Sequence, residues 1–441
     1  MRALDVYIDR HKVGKLGEGD GLWTFRYEPS WAENPLGYDL APQLPRHQLE
    51  HVDGGTLRPV QWYFDNLLPE EGLRKAVARE AAIRDDQDAF ALLEYLGAES
   101  AGSLTLLPPG QGLPVYAELQ PLPDEELGAR ISSLPRVTLT KGAPKRMSLA
   151  GAQHKLLAVC RGADLFEPVG STPSTHILKP NHPSPEAYPE SAFIEHLTMR
   201  LAREAKLDVP AVALRYVPQP VFVIERFDRV VSWPKDRALP PEVQRLHIID
   251  ACQLLGKDRT FKHIGASLDA LAAIIQACTN KASTRQALYR WLVFNVLVGN
   301  DDCHLKNLSF HVDADSIRLA PHYDLLCTGV YQTRAIADAD GVWPEVPMVF
   351  ELPGARTFAQ VTRRALLDAA GALKLPEKIA TRILDDVAER VARGFDMLER
   401  EHQALANTEG KHAEHWPLQN RLLRIIRYTT LGEMLARVKA P

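Results

Sequence analysis

Val-Gly-Asn-Asp-Asp-Cys-His-Leu-Lys-Asn, residues 298–307, is a polar stretch that follows a strongly apolar run at 288–298. An apolar run of this length predicts a buried helix, and a buried helix holds the loop behind it in a fixed place. The loop carries two adjacent acids, a histidine, a lysine and an asparagine, and His322-Tyr323-Asp324 follows a short way downstream. This combination is typical of a loop that takes part in chemistry.

Phosphoryl transfer needs one acid to orient an acceptor hydroxyl, and an amide and a second acid to hold magnesium. Asp302, Asn307 and Asp324 provide these groups in a suitable order. The alternative is that the polar residues only cap a turn after the helix, as such residues often do. The motif alone leaves both interpretations open, because short motifs produce false matches.

The composition is that of an ordinary globular protein. Of 441 residues, 45% are hydrophobic and 24% are charged, and the net charge is −4, so charge gives no reason to expect nucleic-acid binding. The five cysteines are scattered and form no C-x-x-C pair, which argues against both a disulfide framework and a zinc site and favours the cytoplasm. No apolar run reaches membrane-spanning length without charge.

The N-terminal part of the chain predicts a small α/β unit. Alternation at 4–8 and 23–27 predicts strands, and helical patterns follow at 61–70, 73–83 and 88–96. The Pro- and Gly-rich residues 107–114 then interrupt regular structure.

Beyond that break, short β-rich pieces and one amphipathic helix at 190–205 predict a small sheet with a packed helix. After Arg229 helical patterns dominate, including one at 246–255. These patterns predict a small α+β unit at the N-terminus, a small sheet with one packed helix after residue 114, and a mainly α second half after Arg229.

Three further stretches could bind a nucleotide. Lys179 ends an apolar β-like run and could contact phosphates, although a lysine there is more often an edge residue that discourages strand pairing. Residues 148–155 form a small-residue turn before a strand, but match no general phosphate-loop pattern. Residues 225–229 could present backbone groups to adenine or form a salt-bridge network. The sequence leaves open whether Glu190 or Glu195 pairs with Lys179.

Five motifs, taken in order, resemble the HipA family of serine/threonine kinase toxins. They lie at 148–155, 175–180, 224–229, 299–307 and 321–324, and similarity at 24–31 and 64–69 extends the resemblance over nearly the whole chain. It implies an α+β, two-lobed protein-kinase-like fold with an N-terminal α/β subdomain at 1–107, a kinase-like N-lobe with a phosphate loop and hinge at 115–228, and an all-α C-terminal catalytic lobe at 229–441.

The resemblance also implies roles for individual residues. Asp302 is the expected catalytic acid, chosen over Asp301 by alignment to Asn307, and Asn307 and Asp324 are the expected Mg²⁺ ligands. Ser148 matches a serine that the family phosphorylates on itself, and the added charge switches the enzyme off. The residues expected to contact ATP are Ala150, Gly151, Ala152, Gln153, His154 and Lys155 of the phosphate loop, Lys179, the hinge residues Glu225, Arg226 and Phe227, and His304, Leu305, Lys306, Asn307, Tyr323 and Asp324.

Family members phosphorylate a serine of a protein such as an aminoacyl-tRNA synthetase, arrest translation and growth, and are held by a helix-turn-helix antitoxin. The resemblance thus implies an ATP- and Mg²⁺-dependent cytoplasmic kinase toxin with a HipB-like partner and no membrane contact. DNA would be reached only through the antitoxin complex, because residues 338–357 lack the family's basic stretch. Two alternatives stay open. One is a lipid kinase, since Asp302-x-His304-x-x-Asn307 is also similar to the phosphoinositide-kinase loop, and the other is a non-catalytic co-repressor on a kinase scaffold.

Overall fold

The structure is a computed structural model of the chain and describes residues 2–148, 150–236, 239–408 and 412–439. The chain divides into two compact units and passes between them more than once. Unit 1 contains Met1–Lys179, Val223–Phe261 and Ser309–Ala320. Unit 2 contains Pro180–Phe222, Lys262–Leu308 and Pro321–Pro441. Each unit is therefore assembled from separate segments of chain.

The described residues form both strands and helices. In chain order the strands are β1 (Arg2–Ile8), β2 (His11–Gly19), β3 (Leu22–Tyr27), β4 (Glu50–Val52), β5 (Leu104–Leu107), β6 (Ala117–Pro121), β7 (Leu156–Arg161), β8 (Asp164–Gly170), β9 (His176–Pro180), β10 (Val212–Tyr216), β11 (Pro220–Glu225), β12 (Arg229–Ser232), β13 (Glu242–Arg245), β14 (Ile248–Asp250), β15 (Ser309–Val312), β16 (Ile317–Leu319), β17 (Pro347–Leu352) and β18 (Ala355–Thr357). The helices are α1 (Pro29–Ala32), α2 (Pro59–Asp65), α3 (Glu71–Glu80), α4 (Ala89–Leu96), α5 (Asp124–Ser132), α6 (Ser191–Glu204), α7 (Ala251–Leu254), α8 (Phe261–Ile264), α9 (Leu268–Ala277), α10 (Lys281–Val298), α11 (Arg334–Ala337), α12 (Arg363–Ala372), α13 (Glu377–Thr408), α14 (Trp416–Ile425) and α15 (Leu431–Lys439).

Unit 1 is built mainly on antiparallel sheets. The first has the strand order β4-β3-β2-β1-β5, and α2 and α4 pack on it. Trp23, Phe25 and Tyr27 of β3 are buried, as the period of two predicts. In a second sheet β11, β9, β7, β8 and β6 lie side by side in that order, and β14, β15 and β16 form a third. The second sheet carries the loop before β7 and the end of β11.

Unit 2 is mainly helical and is organised around α10. This helix contacts α9, α13 and α15, and α13 also contacts α6 and α12. The predicted stripe of α6 is buried, namely Phe193, Ile194, Leu197 and Leu201, so the amphipathic helix predicted at 190–205 is confirmed. In the part of the chain that the structure describes, no helix is long and apolar enough to cross a membrane.

Strands also occur after Arg229, where the resemblance implied an all-α lobe. The helix predicted at 246–255 is wrong in its first half, because Ile248–Asp250 is β14 and α7 begins at Ala251. The strands β12 to β18 correct the all-α expectation for residues 229–441 to a mainly α composition. The reason is long-range pairing: β14 pairs with β15 from much later in the chain, and local periodicity carries no record of such a partner.

Candidate active site

The loop that contains Asp302 begins where helix α10 ends in unit 2. Nearly all of residues 288–298 are buried, as the apolar run predicts. Gly299 ends the helix with φ of 65°, a left-handed conformation that glycine adopts without a steric penalty. A Cβ atom on Gly299 would lie only 2.7 Å from Cη2 of Trp343. Both the backbone angle and the available space therefore require glycine at this point.

Buried amide side chains hold the backbone of this loop. The Asn300 side chain donates to Oδ1 of Asn295 (2.7 Å) and accepts from the backbone N–H of Asp302 (3.1 Å). Asn307 Nδ2 donates to the carbonyl oxygen of Asp302 (2.9 Å). All three asparagines are buried. The backbone of Asp302 is therefore held at both its N–H and its carbonyl group.

The adjacent acids Asp301 and Asp302 have different surroundings. The backbone N–H of Asp301 donates to Oγ1 of Thr328 (2.7 Å), and Gln332 Nε2 donates to its carboxylate (3.4 Å). Burial raises the pKa of Asp301. The Asp302 side chain is instead 64% exposed. Of the two, Asp302 presents the carboxylate that a hydroxyl from outside can reach.

Asn307 and Asp324 lie on segments that contact each other within unit 2. Asn307 ends the short 3₁₀ turn Leu305–Asn307, and the Tyr323 hydroxyl donates to the carbonyl oxygen of Lys306 (2.7 Å). Asp324 has φ of 51°, in the left-handed region, which aspartate adopts more readily than most residues. Such conformations are concentrated at functional sites, where the surrounding structure maintains them.

The donor groups of these segments suit Mg²⁺. Asn307 uses its amide nitrogen to bond Asp302, which leaves the amide oxygen as the atom that can face a cation. Asp324 adds a carboxylate. Mg²⁺ prefers oxygen ligands and is commonly held by one or two protein groups, with phosphates and water as the other ligands. The residues present therefore fit this ion.

In unit 1, residues 150–155 form a loop directly before β7. The N–H of Glu70 donates to the carbonyl oxygen of Gly151 (3.1 Å), and Lys155 Nζ donates to that of Ala150 (2.5 Å). Gly151 has φ of 110°, and a Cβ atom there would lie 2.9 Å from Lys155 Nζ. The other members are Ala152, which is exposed, Gln153, which is half-buried, and His154, which is buried.

Ser148 precedes this loop and is buried, with 1% of its surface exposed. Its Oγ donates to the carbonyl oxygen of Leu67 (2.6 Å), and its N–H donates to that of Glu99 (2.7 Å). Neither partner is predictable from the sequence, because a backbone carbonyl group is common to every residue type. In this conformation protein atoms enclose the Ser148 hydroxyl, so its phosphorylation requires the segment to leave this position.

Lys179 lies on β9 and is 5% exposed. The interpretation as an exposed edge residue is wrong, because β9 has β11 on one side and β7 on the other. Leu178 pairs with Leu156 in the antiparallel ladder. Lys179 therefore lies beside the start of β7, where the loop at 150–155 ends.

The two acids weighed as partners of Lys179 belong to unit 2. The carboxylate of Glu190 accepts from Gln419 Nε2 (2.6 Å), and His415 Nδ1 lies 2.8 Å from its other oxygen. Glu195 is fully buried in α6. The carboxylate of Glu190 is thus held by helix α14 and the residue before it.

Strand β11 ends at Glu225, and Arg226 beyond it belongs to a buried ion network. The Arg226 guanidinium donates to both oxygens of Asp228 (2.9 and 2.7 Å) and to Glu99 (3.2 Å), and Arg229 also donates to Glu99 (3.0 Å). The backbone N–H of Arg226 donates to the carbonyl oxygen of Thr175 (2.9 Å), which also belongs to unit 1. The salt-bridge interpretation is therefore correct for the Arg226 side chain.

Glu99 is the acid at the centre of this network. Burial alone would raise the pKa of its carboxyl group, but Lys145, Arg229 and Arg226 outweigh burial and hold the pKa well below its usual range. Asp228 behaves in the same way beside Arg226 and Arg229. These side chains are therefore ionised, and they join distant segments of unit 1. No local pattern in the sequence marks Glu99 for this role.

Within each unit the structure brings some of the predicted site residues together, whereas the backbone of Arg226 bonds Thr175, next to the end of β9 opposite Lys179. Unit 1 places Lys179 at the strand end beside the loop at 150–155, and Phe227 contacts His311 edge-on. Unit 2 joins Asp302, Asn307 and the segment of Tyr323 and Asp324. Of the remaining predicted ATP contacts in unit 2, Leu305 and Lys306 are buried and His304 is 9% exposed.

Comparison with known proteins identifies relatives over most of the chain. A family model described as the HipA N-terminal domain matches residues 4–107, and one described as the HipA-like C-terminal domain matches residues 147–395. The protein Y4mE of Sinorhizobium fredii is 33% identical over 408 residues, 89% of this chain and 92% of that protein. The serine/threonine-protein kinase toxin HipA of Shewanella oneidensis is 30% identical over 411 residues, 87% of this chain and 89% of that protein.

A solved structure has the same fold. It is the complex of Shewanella oneidensis HipA and HipB with operator DNA, and it matches with a TM-score of 0.76 at 24% identity. The match covers 98% of this chain and 99% of that chain. The predicted α+β fold of the kinase-like type is therefore confirmed.

Proposed function

Because the chain belongs to the HipA family of serine/threonine kinases, we propose that it is an ATP- and Mg²⁺-dependent protein kinase that acts as a toxin. The observation that carries this proposal is the exposed carboxylate of Asp302 on a backbone that buried amides hold in place. Phosphoryl transfer depends mainly on positioning and electrostatics, so a fixed acid that a substrate can reach is the group a kinase needs.

Asp302 acts on the acceptor. Its carboxylate accepts a hydrogen bond from a serine hydroxyl, aims the oxygen at the γ-phosphorus atom, and takes the proton as the new O–P bond forms. The bond from that phosphorus to the β,γ-bridging oxygen of ATP breaks at the same time, and ADP is the leaving group. Asp301 cannot replace it, because its carboxylate is half-buried and bonded to Gln332.

Asn307 and Asp324 would hold Mg²⁺ through their side-chain oxygen atoms. When bound, the ion neutralises the negative charge of the phosphates. The residues that bind ATP are the phosphate loop at 150–155, Lys179, the backbone of 225–227, and the side chains or backbone of His304, Leu305, Lys306 and Tyr323. Buried Lys179 contributes a positive charge that attracts the phosphates.

The substrate and the protein partner that we propose are those of the HipA family. We assign as substrate a serine of a translation-related protein, for example an aminoacyl-tRNA synthetase, and as inhibitor a helix-turn-helix antitoxin. The Shewanella oneidensis relative is solved together with HipB and operator DNA, which supports an antitoxin as the link to DNA. Ser148 is the site of autophosphorylation. The proposed domains remain 1–107, 115–228 and 229–441.

Asp302→Asn tests the central assignment. Purified protein is incubated with Mg²⁺ and γ-labelled ATP, and phosphate incorporation into the chain is measured over time. Loss of the acid should lower the rate by about 10²–10⁴-fold, whereas ATP binding in a calorimetric titration should persist. Asp301→Asn is the matched control and should retain activity within a few-fold. A wild-type rate in Asp302→Asn would contradict the assignment.

A further inference from the structure

His263, Asp302 and His304 form a cluster in unit 2, and the proposed phosphotransfer uses Asp302 and His304 but not His263. One ligand atom from each lies within 4.8 Å of the other two. His263 Nε2 is 4.0 Å from Asp302 Oδ1, and the two imidazole rings meet edge-to-face with centroids 4.8 Å apart. The sequence gives no hint of this cluster, because His263 lies on the short helix α8, far from Asp302 along the chain.

The ligand chemistry of the cluster differs from that of the proposed Mg²⁺ site. Two imidazoles and one carboxylate make a set typical of zinc sites that keep a fourth position open. Mg²⁺ prefers oxygen ligands, while imidazole suits zinc and its neighbours in the first transition row. The scattered cysteines argued against a zinc site, but a histidine-based site does not depend on them.

The geometry needs only a small adjustment to bind a metal ion. Ligand atoms around a tetrahedral zinc ion, at about 2.0–2.1 Å from the metal, lie about 3.3 Å from one another. The side chains of His263 and Asp302 are 45% and 64% exposed, so rotation about their side-chain bonds can bring them together without moving the core. His304 is anchored by backbone hydrogen bonds, its N–H donating to the Asp302 carbonyl oxygen (2.9 Å) and its carbonyl oxygen accepting from Asn307 (3.0 Å).

We propose that His263, His304 and Asp302 bind a divalent transition-metal ion of the zinc class, and that this ion inhibits the kinase. Coordination occupies the Asp302 carboxylate, which then cannot accept the proton of a substrate serine. The inhibitory effect rests on the proposed kinase function, whereas metal binding does not. The kinase would thus stop when free zinc rises, while Mg²⁺ supports it.

The test uses zinc sulfate as the probe and His263→Ala as the main variant, since His263 has no part in the proposed reaction. In calorimetry without nucleotide, the wild type should bind one Zn²⁺ at this site, and His263→Ala should bind it at least tenfold more weakly. His263→Asp supplies a replacement ligand and should recover part of the affinity. His47→Ala, which removes an exposed histidine elsewhere, should behave as the wild type. Co²⁺ should give the visible absorption of a tetrahedral site in the wild type and lose it in His263→Ala.

A second measurement addresses inhibition. Phosphate incorporation at saturating Mg²⁺ and ATP is followed while zinc is added, and His263→Ala should need at least tenfold more zinc for half-inhibition. Equal zinc affinity in wild type and His263→Ala would overturn the site, even if the kinase is active. Binding that depends on His263 while both proteins are inhibited equally would overturn the regulatory role. A wild type that binds zinc through His263 but transfers no phosphate would refute the proposed kinase and leave the metal site standing.

Discussion

Single buried polar groups hold the two segments that contain Asp302 and Ser148 in their conformations. Asn300 and Asn307 hold the backbone of Asp302 in unit 2, and Ser148 ties its segment to Leu67 in unit 1. A hydrogen bond of this kind contributes about 1 kcal/mol net, but a buried group left without a partner costs about 1–3 kcal/mol. Substitution of Asn300, Asn307 or Ser148 should therefore change the conformation of the segment that each of them holds.

Ser148→Glu should abolish nucleotide binding, whereas Ser148→Ala should retain it. A carboxylate at this position would bring its oxygens against the carbonyl oxygen of Leu67, which now accepts from the Ser148 hydroxyl at 2.6 Å, and a buried charge without a counter-ion is strongly unfavourable. The segment before residues 150–155 would then have to leave its place. Titration calorimetry with ATP measures the effect. ATP affinity of Ser148→Glu equal to that of Ser148→Ala would rule out this mechanism.

At the scale of elements, the end of helix α10 sets where the loop with Asp302 starts. Gly299 has a left-handed backbone and faces the ring of Trp343. The carbonyl oxygen of Gly299 also accepts from the N–H of Gly329 (2.8 Å). The C-terminal end of α10 is therefore held by its backbone conformation, by the close approach of Trp343 and by the hydrogen bond from Gly329.

Gly299→Ala should destabilise the protein and slow phosphate transfer. The left-handed conformation costs a residue with a Cβ atom about 1–2 kcal/mol, and contact with Trp343 adds to this cost. Gly371→Ala is the control: this glycine lies in helix α12, a Cβ atom there would meet nothing within 4 Å, and the change should stabilise by about 0.5–1 kcal/mol. Thermal unfolding and the rate of phosphate incorporation give the two readouts. Equal melting temperatures in the two variants would contradict the argument.

The sequence predicted those elements that depend on local patterns. Burial is visible in the local sequence of three segments, namely the apolar run at 288–298, the alternation in β3 and the stripe of α6. Strand β14 and the partners of Ser148 were not predicted, because they depend on residues far away along the chain. For the same reason the sequence could place Asp302 on a loop but could not find His263 beside it.

At the largest scale, buried charges join the separate segments of unit 1. Glu99 accepts hydrogen bonds from Lys145, Ser174, Arg226 and Arg229, which lie far apart in the sequence. Replacing a complete buried ion network by apolar groups can be neutral, but removing one partner leaves the others unpaired and typically costs about 3–5 kcal/mol.

Glu99→Gln should therefore lower the free energy of unfolding by about 3–5 kcal/mol at neutral pH. Burial raises the pKa of Glu99, but the basic partners lower it by more than burial raises it. The pKa of Glu99 in the folded protein therefore lies below its value in the unfolded chain, which is about 4.3. This stabilisation is complete above that value and is lost as the pH falls from there toward the folded pKa. Denaturant unfolding between pH 7 and pH 3 should show a shallower acid loss in Glu99→Gln than in the wild type.

The control is Glu242→Gln, at an exposed position of β13, which should stay within about 0.5 kcal/mol of the wild type. If Glu99→Gln and Glu242→Gln lose equal stability at neutral pH, the network does not hold unit 1 together as described.

The bonds from Asn300 and Asn307 to the backbone of Asp302 involve only amide and backbone groups, none of which gains or loses a proton in ordinary buffers. Added salt also has little effect on hydrogen bonds between neutral groups, whereas it screens ion pairs. The loop should therefore keep its shape when acidity or ionic strength changes. A change in turnover with pH would then report the proton on a reacting group, rather than the loosening of its support.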